Sequence, residues 1–141
     1  MTRFHHYILR LYSLHKKVSF SRFSDLGLSQ GQPKVIEILL YNDGCTQKVL
    51  AELCGIQPAS MSCLLKKMEC DGLVRREPET LSSGVHIMHV YLTDEGRRLA
   101  ERILVCADEV EDVCFSGFTE DEKAAFILSL DRILCNLKKS E

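Results

Sequence analysis

The chain has 141 residues, of which 45% are hydrophobic and 27% are charged, and these values fit one compact domain with a hydrophobic core. The formal net charge of −2 excludes a protein that attracts nucleic acid through an overall positive charge. The charge distribution is uneven, because residues 1–93 hold eleven Lys/Arg and eight Asp/Glu, whereas residues 94–141 hold seven and twelve. This asymmetry indicates a binding face in the first part of the chain and a different role for the remainder.

The opening sequence MTRFHHYILRLYSLHKK contains no apolar segment of the secretory type, and no apolar run along the chain is long enough to span a bilayer. Seven cysteines are an odd number, which argues against a disulfide scaffold in a chain of this length and composition. We therefore expect a cytoplasmic protein without membrane contact, whose thiols are reduced and mostly buried as small hydrophobic side chains.

The first third of the chain shows two helical patterns. Four apolar residues at helical spacing predict the first helix: Phe4, Ile8, Leu11 and Val18. The Ser-rich stretch at residues 19–27 (SFSRFSDLG) predicts a loop. Ser29 and Gln32 form a Ser-x-x-Gln capping box for the next helix, with Pro33 in its first turn. An Asn-Asp-Gly turn signal in YNDGC ends that helix.

Two short helices follow in close succession. The first, in TQKVLAELCGI, has Thr46 as its predicted N-cap and Gly55 just past its end. The second, in QPASMSCLLKKMECDG, follows after about four residues and also ends on a glycine. Two short helices with a glycine in the joint are typical of a helix-turn-helix.

The sequence then predicts a β-hairpin and two long helices. LVRRE and HIMHVYL have the β-branched, alternating composition of strands, and PETLSSG between them is predicted as a loose tip. Thr93 is the predicted N-cap of the next helix, and Thr119 with Glu122 forms a capping box for the last. Apolar residues step along both helices by three and four positions: Leu99, Ile103, Cys106, Val110 and Val113 in one, Ile127, Leu130, Leu134 and Leu137 in the other.

A helical wheel of residues 58–71 separates two faces. The apolar face is predicted to pack inward and carries Met61, Leu64, Leu65 and Met68. The opposite face is small and basic and carries Ala59, Cys63, Lys66, Lys67 and Cys70, with Ser60 and Ser62 on its flanks. Small side chains allow close approach to base edges, and lysines displace counterions from phosphates. The alternative is a solvated helix with incidental lysines.

The hairpin favours the DNA-binding interpretation. Arg75 and Arg76 follow the predicted recognition helix directly, so residues 58–76 hold four basic and two acidic side chains. A hairpin beside a helix-turn-helix can lie along the DNA backbone or enter the minor groove.

Four motifs in order give the chain a family resemblance. They are LSQGQPKVIEIL, similar to a Leu-Thr-x-x-Gln opening; LAELCGI, similar to the first helix of the reading motif; ASMSCLLKKMECDGLVRR, similar to a recognition helix followed by a Gly-Leu-Val-x-Arg strand; and VYLTDEG, similar to Val-x-Leu-Thr-x-x-Gly after the wing. In these the chain resembles the MarR (multiple antibiotic resistance regulator) family of winged helix-turn-helix transcription factors, from about residue 28 to 97 by motif and over the whole chain by element order.

The resemblance implies a single, mainly α domain over 1–141 with a small β-hairpin. Residues 29–93 would form the winged helix-turn-helix, and residues 1–28 and 94–141 the dimerisation helices. It also implies a homodimer that reads pseudo-palindromic double-stranded DNA, and we expect a repressor released by a small ligand or by a thiol or metal signal. The candidate DNA-binding residues are Thr46, Gln47, Ser60, Ser62, Cys63, Lys66, Lys67, Arg75, Arg76, Ser82, Ser83 and His86.

Two positions depart from the family pattern. Cys63 stands where the family often has arginine, so a groove contact is missing or replaced. The predicted wing, EPETLSSGVHIMHV, has no arginine where the family usually carries Asp-x-Arg near the tip. Ser82, Ser83 and His86 are the candidates for phosphate contact in its place.

The cysteines suggest a route of control. Cys63 and Cys70 lie seven residues apart on the DNA-facing side of one helix, where oxidation, metallation or alkylation would disturb the fit to DNA. The alternative is that small residues are simply tolerated there. His86 and His89 are three apart on a strand and should face opposite sides, which is unsuited to one metal ion. We expect no structural zinc site and no cofactor, and the alternative is a zinc- or copper-sensing site across a dimer interface.

The sequence bears on two other classes of function. An enzyme is not expected, because the chain has no Gly-rich phosphate loop and no Gly-x-Ser-x-Gly, and its paired carboxylates lie on solvated helices. A winged-helix protein–protein adaptor that does not bind DNA remains the alternative, because the fold alone does not determine function.

Overall fold

The computed structural model describes residues 3–141, which form six α-helices, one short 3₁₀ turn and one antiparallel hairpin. The elements in chain order are α1 (Phe4–Phe23), the 3₁₀ turn (Ser24–Leu26), α2 (Gln32–Tyr41), α3 (Gln47–Cys54), α4 (Pro58–Cys70), β1 (Val74–Thr80), β2 (His86–Leu92), α5 (Asp94–Cys114) and α6 (Glu120–Lys138). The predicted fold class, mainly α with a small hairpin and a winged helix-turn-helix at its centre, is confirmed.

The hydrophobic core lies under the helix-turn-helix. It is built from one face each of α2, α3 and α4, closed by the base of the hairpin and the first half of α5. Its most deeply buried side chains are Val35, Ile36, Leu39, Leu50, Met61, Leu65, Met68, Val90 and Ile103. Three helices that share one core cannot rotate independently, because their apolar side chains pack into the same cluster.

The hairpin is longer than its sequence predicts. β1 continues through residues 78–80, which the composition placed in a loop, and pairs with β2 in a register that sets Pro78 opposite Met88 and Thr80 opposite His86. A proline is tolerated there because β1 is an edge strand. The far side of β2 contacts the turn between α2 and α3, where the Gly44 amide donates to the Val90 carbonyl at 2.8 Å.

The predicted loop at residues 19–27 is wrong, because α1 runs on to Phe23 and is followed by the 3₁₀ turn. Tertiary contacts with α5 stabilise this extension. The Cys106 thiol donates to the Arg22 carbonyl at 3.7 Å, and the Arg22 guanidinium lies 3.4 Å from the Glu109 carboxylate. Serine is a weak helix former, and here its local preference is overridden by packing.

The helix caps are mostly as predicted. Thr46, Thr93 and Thr119 accept hydrogen bonds from the first turns of α3, α5 and α6, and the full capping box of Thr119 with Glu122 is present. The capping box at α2 is only half formed. Gly31, with φ of 91°, is the N-cap, and the Gln32 side chain accepts from the Ser29 amide at 3.0 Å, but the Ser29 hydroxyl caps nothing.

The first and last helices leave apolar surface uncovered. Within residues 3–141, neither α1 nor α6 has a buried residue. α6 joins the end of α5 through a Phe115–Phe126 edge contact and a 2.6 Å ion pair between Lys123 and Glu111. The large exposed apolar side chains on these two helices are Phe4, Tyr7, Ile8, Leu9, Leu11, Tyr12, Leu14, Phe20, Phe126, Ile127, Leu128, Leu134 and Leu137. No helix in the described range is long and apolar enough to cross a membrane.

The packing of α4 predicts opposite results for two neighbouring substitutions. Leu65→Ala should lower the free energy of unfolding by about 2–5 kcal/mol, because it opens a cavity among fully buried side chains. Lys66→Ala, on the exposed side of the same turn, should change it by less than about 0.5 kcal/mol. Urea unfolding followed by circular dichroism measures both values, and similar values for the two would show that α4 is oriented differently.

Candidate nucleic-acid interface

One long face of α4 is open to solvent. Met61, Leu65 and Met68 hold the helix to the core, and the helical repeat therefore turns the other side outward. All of the groove-facing residues predicted on this helix are exposed: Ser60, Ser62, Cys63, Lys66 and Lys67. The predicted inner and outer faces are thus those of the structure.

The backbone amides in the first turn of α4 have no side-chain cap. Pro58 lies in the first turn, and the N-cap residue Gln57 makes no side-chain hydrogen bond to the helix. The amides of a first turn have no partner within their own helix and can bind an anion. In α3 the equivalent position is occupied, because the Thr46 hydroxyl accepts from the Val49 amide at 3.2 Å.

Arg76 joins three elements at the base of the hairpin. Its Nε atom lies 2.5 Å from Oε2 of Glu69 on α4, and its Nη1 atom lies 3.4 Å from Oε1 of Gln47 on α3. Its side chain is only 20% exposed. Arg76 and Gln47 therefore connect the two helices and β1, and Glu69 is a member of this group that the sequence analysis missed.

Arg75 lies on the other face of β1, because neighbouring residues of a strand alternate. It forms an ion pair with Glu77, and its guanidinium lies 4.4 Å from the centre of the Tyr91 ring. The four basic residues of 66–76 consequently divide into two kinds. Both arginines are paired with carboxylates, whereas Lys66 and Lys67 form no ion pair within residues 3–141.

The tip of the hairpin is a tight turn. The Gly84 amide donates to the Leu81 carbonyl, and the Leu81 amide donates to the Val85 carbonyl, each at 2.8 Å. Gly84 has φ of 82°, as expected for a three-residue tip that ends in a left-handed residue. Ser82 and Ser83 are therefore exposed at the apex, and the His86 Nδ1 atom lies 3.0 Å from the Thr80 hydroxyl.

His89 is a residue whose contacts the sequence analysis did not predict. Its Nδ1 atom lies 2.8 Å from the Gly44 carbonyl oxygen and its Nε2 atom 2.6 Å from Oε2 of Glu79. The hydrogen bond to the Gly44 carbonyl, and then the one to Glu79, raise the pKa of His89 above its ordinary value. Glu79 and His89 are ten residues apart, and only the register of the hairpin reveals that they meet.

The expectation that most thiols are buried is wrong. Cys54 is buried, and burial raises its pKa to about 11. Cys45 and Cys106 are half-buried, while Cys63, Cys70, Cys114 and Cys135 are exposed. The exposed thiols are those of Cys63 and Cys70 on the outer face of α4, Cys114 at the end of α5, and Cys135 on α6. Cys63 and Cys70 are therefore accessible, as the wheel predicts.

Comparison with known proteins gives the family. The MarR family model matches residues 28–80. The transcriptional regulator PA3341 is 30% identical in sequence, with a TM-score of 0.86 over 97% of this chain and 99% of that one. The HTH-type transcriptional regulator YybA of Bacillus subtilis strain 168 is 25% identical over 122 residues, which are 86% of this chain and 80% of YybA.

The fold is also that of a structure solved with DNA. A putative MarR family transcriptional regulator from Listeria monocytogenes, complexed with 26mer DNA, has a TM-score of 0.86 over 99% of this chain and 92% of that one, at 21% identity. The family match spans the helix-turn-helix and the first strand of the wing, and the likeness to PA3341 spans nearly the whole chain. The chain therefore belongs to the MarR family of transcriptional regulators.

Proposed function

We propose that this chain acts as a homodimer that binds a pseudo-palindromic DNA operator and represses transcription until a small ligand or a thiol or metal signal releases it. The observation that carries the proposal is the outward face of α4, where Ser60, Ser62, Lys66 and Lys67 lie opposite a fully buried apolar face. Family membership and the DNA complex of the Listeria relative support it.

The outer face of α4 has the chemistry of a major-groove surface. Ser60 and Ser62 are small and near the helix start, where close approach to DNA is possible and the free amides favour phosphate. Lys66 and Lys67 follow one turn later with their charges unpaired by other residues of 3–141. Cys63, between these groups, is small enough to leave the approach open.

The hairpin would lie along the DNA backbone as a wing. Its apex offers the hydroxyls of Ser82 and Ser83, and the His86 ring follows as a further hydrogen-bonding group. Contacts of this kind fix position on DNA without reading its sequence. At the start of α3, Gln47 accepts a hydrogen bond from Arg76 at the junction of helix and wing, and Thr46 precedes it as the N-cap.

The homodimer is inferred from the uncovered helices. Single protomers rarely expose contiguous apolar surface on the scale shown by α1 and α6. A two-fold axis through these helices would bury the same surface on both copies. A pseudo-palindromic operator then requires the two α4 helices to lie about 34 Å apart, one turn of DNA.

Replacement of both α4 lysines tests the DNA-binding face. Lys66→Ala with Lys67→Ala should weaken binding to random-sequence duplex, because phosphate contacts are lost. The slope of log affinity against log salt should become shallower by up to about 2 per protomer. Fluorescence anisotropy at several salt concentrations measures both quantities.

A matched control is the adjacent pair at the end of α6. Lys138→Ala with Lys139→Ala removes the same charge far along the chain from α4 and should leave the salt slope as it is. Equal effects of the two double substitutions would refute the assignment of α4. Absence of binding to any duplex by the unaltered protein would instead favour the protein–protein adaptor.

Sedimentation velocity tests the homodimer. At micromolar concentration the protein should sediment at twice its chain mass of 16.0 kDa. Leu134→Glu on α6 should shift it towards the monomer, because a charge cannot be buried unpaired in an apolar interface. Leu53→Glu, which changes an exposed leucine of α3, is the control and should leave the protein dimeric. If the unaltered protein sediments as a monomer, the proposal is contradicted.

A further inference from the structure

We propose that His89 is a positioning residue that makes DNA binding proton-dependent, because its imidazolium holds the wing against the α2–α3 turn and balances the charge of Glu79. The inference rests on the proposed function, since it concerns how the wing meets DNA. Two features of the structure carry it: a ring placed between two acceptors, and a wing without cationic side chains beyond Arg76.

The placement of the ring between two acceptors favours its protonated form. The Gly44 carbonyl oxygen, 2.8 Å from Nδ1, can only accept a hydrogen bond, and so can an ionised Glu79 carboxylate, 2.6 Å from Nε2. A neutral imidazole carries one N–H and can satisfy one of these partners. Both bonds are made together when the ring carries both protons, which is the imidazolium.

The contact joins the outer half of the wing to the body of the domain. Glu79 lies on β1 one residue before the end of the strand, whereas Gly44 lies in the turn after α2. This turn is fixed to β2 by the Gly44–Val90 and Cys45–Val90 backbone hydrogen bonds, at 2.8 and 3.0 Å. His89 therefore connects β1 to that turn across β2, and its bonds set the angle of the wing.

The charge of the wing gives the protonated ring a second effect. Residues 77–92 contain Glu77 and Glu79 and no lysine or arginine. Glu77 is paired with Arg75, which leaves Glu79 to be balanced by His89. If the ring loses its proton, a bare carboxylate remains on the element that would lie beside DNA phosphates, and like charges repel.

The other ionisable groups near the His89 ring have partners of their own, are held neutral by burial, or face away from it. On β1, Glu77 is in register with His89 but paired with Arg75. In the turn, the Asp43 carboxylate lies 2.5 Å from the Arg97 guanidinium, and the Cys45 thiol has a pKa raised by burial. On β2, alternation along the strand places His86 on the opposite face.

The sign of the pH effect follows from the protonated form. Hydrogen bonds to Gly44 and Glu79 raise the pKa of His89 above its ordinary 6.5, so the contact is complete below 6.5 and is lost as pH rises through the raised value. Nearby phosphates raise the pKa further, because a negative charge favours the cation. DNA binding therefore takes up protons, and affinity falls as pH increases.

Binding to random-sequence duplex between pH 6 and 8.5, at constant ionic strength, tests this inference. All proteins carry His86→Gln, which removes the other imidazole of the wing. In this background the dissociation constant should rise several-fold over the range, with an upper limit of about tenfold per pH unit for one proton. Adding His89→Gln should flatten the profile. Adding Glu79→Gln should also flatten it and should keep binding tight at high pH.

A control variant separates positioning from a general structural role. Glu52→Gln, which neutralises an exposed carboxylate of α3 as Glu79→Gln does on the wing, should leave the pH profile of the background unchanged. If His89 served only the fold, His89→Gln would weaken binding equally at every pH. NMR titration of the imidazole in the free protein gives an independent reading, because Glu79→Gln should lower the pKa of His89.

The outcomes distinguish this inference from the proposed function. Binding by every variant with one common pH profile would overturn the role of His89 and leave DNA binding intact. An unchanged pKa of His89 in the Glu79→Gln variant would overturn the contact itself. Absence of duplex binding by the unaltered protein at every pH would refute the proposed function, and the proton linkage with it.

Discussion

The burial of Met61, Leu65 and Met68 is the constraint on which the rest of the structure depends. These side chains anchor α4 in the core that it shares with α2 and α3. Because of the helical repeat, Ser62, Lys66 and Lys67 then point outward to solvent. The exposed face of α4, which we propose binds DNA, therefore results from packing on its opposite side. The charge of the chain as a whole, which is slightly negative, matters less than this local placement.

The arginines at the base of the wing form their contacts within the molecule and hold the wing in place. Arg76 connects α3, α4 and β1 through Gln47 and Glu69, and Arg75 rests on Tyr91 beside Glu77. A paired arginine fixes geometry well but offers less charge to DNA than a free one. The outer part of the wing, residues 77–90, thus lacks the arginine that the family resemblance implies near the tip. Its net charge depends instead on histidine, which changes charge near neutral pH.

The predictions made from the sequence are correct where nearby residues determine the structure. The caps at Thr46, Thr93 and Thr119 and the inward face of α4 follow from residue type and spacing alone. The predictions are wrong or incomplete where contacts with residues distant in sequence determine the structure. The last turn of α1 is held by α5, β1 extends past Pro78 because β2 pairs with it, and His89 meets Glu79 through the hairpin register. The exposure of Cys114 and Cys135 was also missed, because burial depends on which helix faces remain uncovered.

Chemical footprinting of the unaltered protein tests the account most directly. Acetylation of each lysine is measured by mass spectrometry with and without random-sequence duplex. The account predicts that duplex protects Lys66 and Lys67, while Lys138 and Lys139 react at the same rate in both samples. Equal reactivity of Lys66 and Lys67 with and without bound duplex would contradict it, because α4 would then lie away from the DNA.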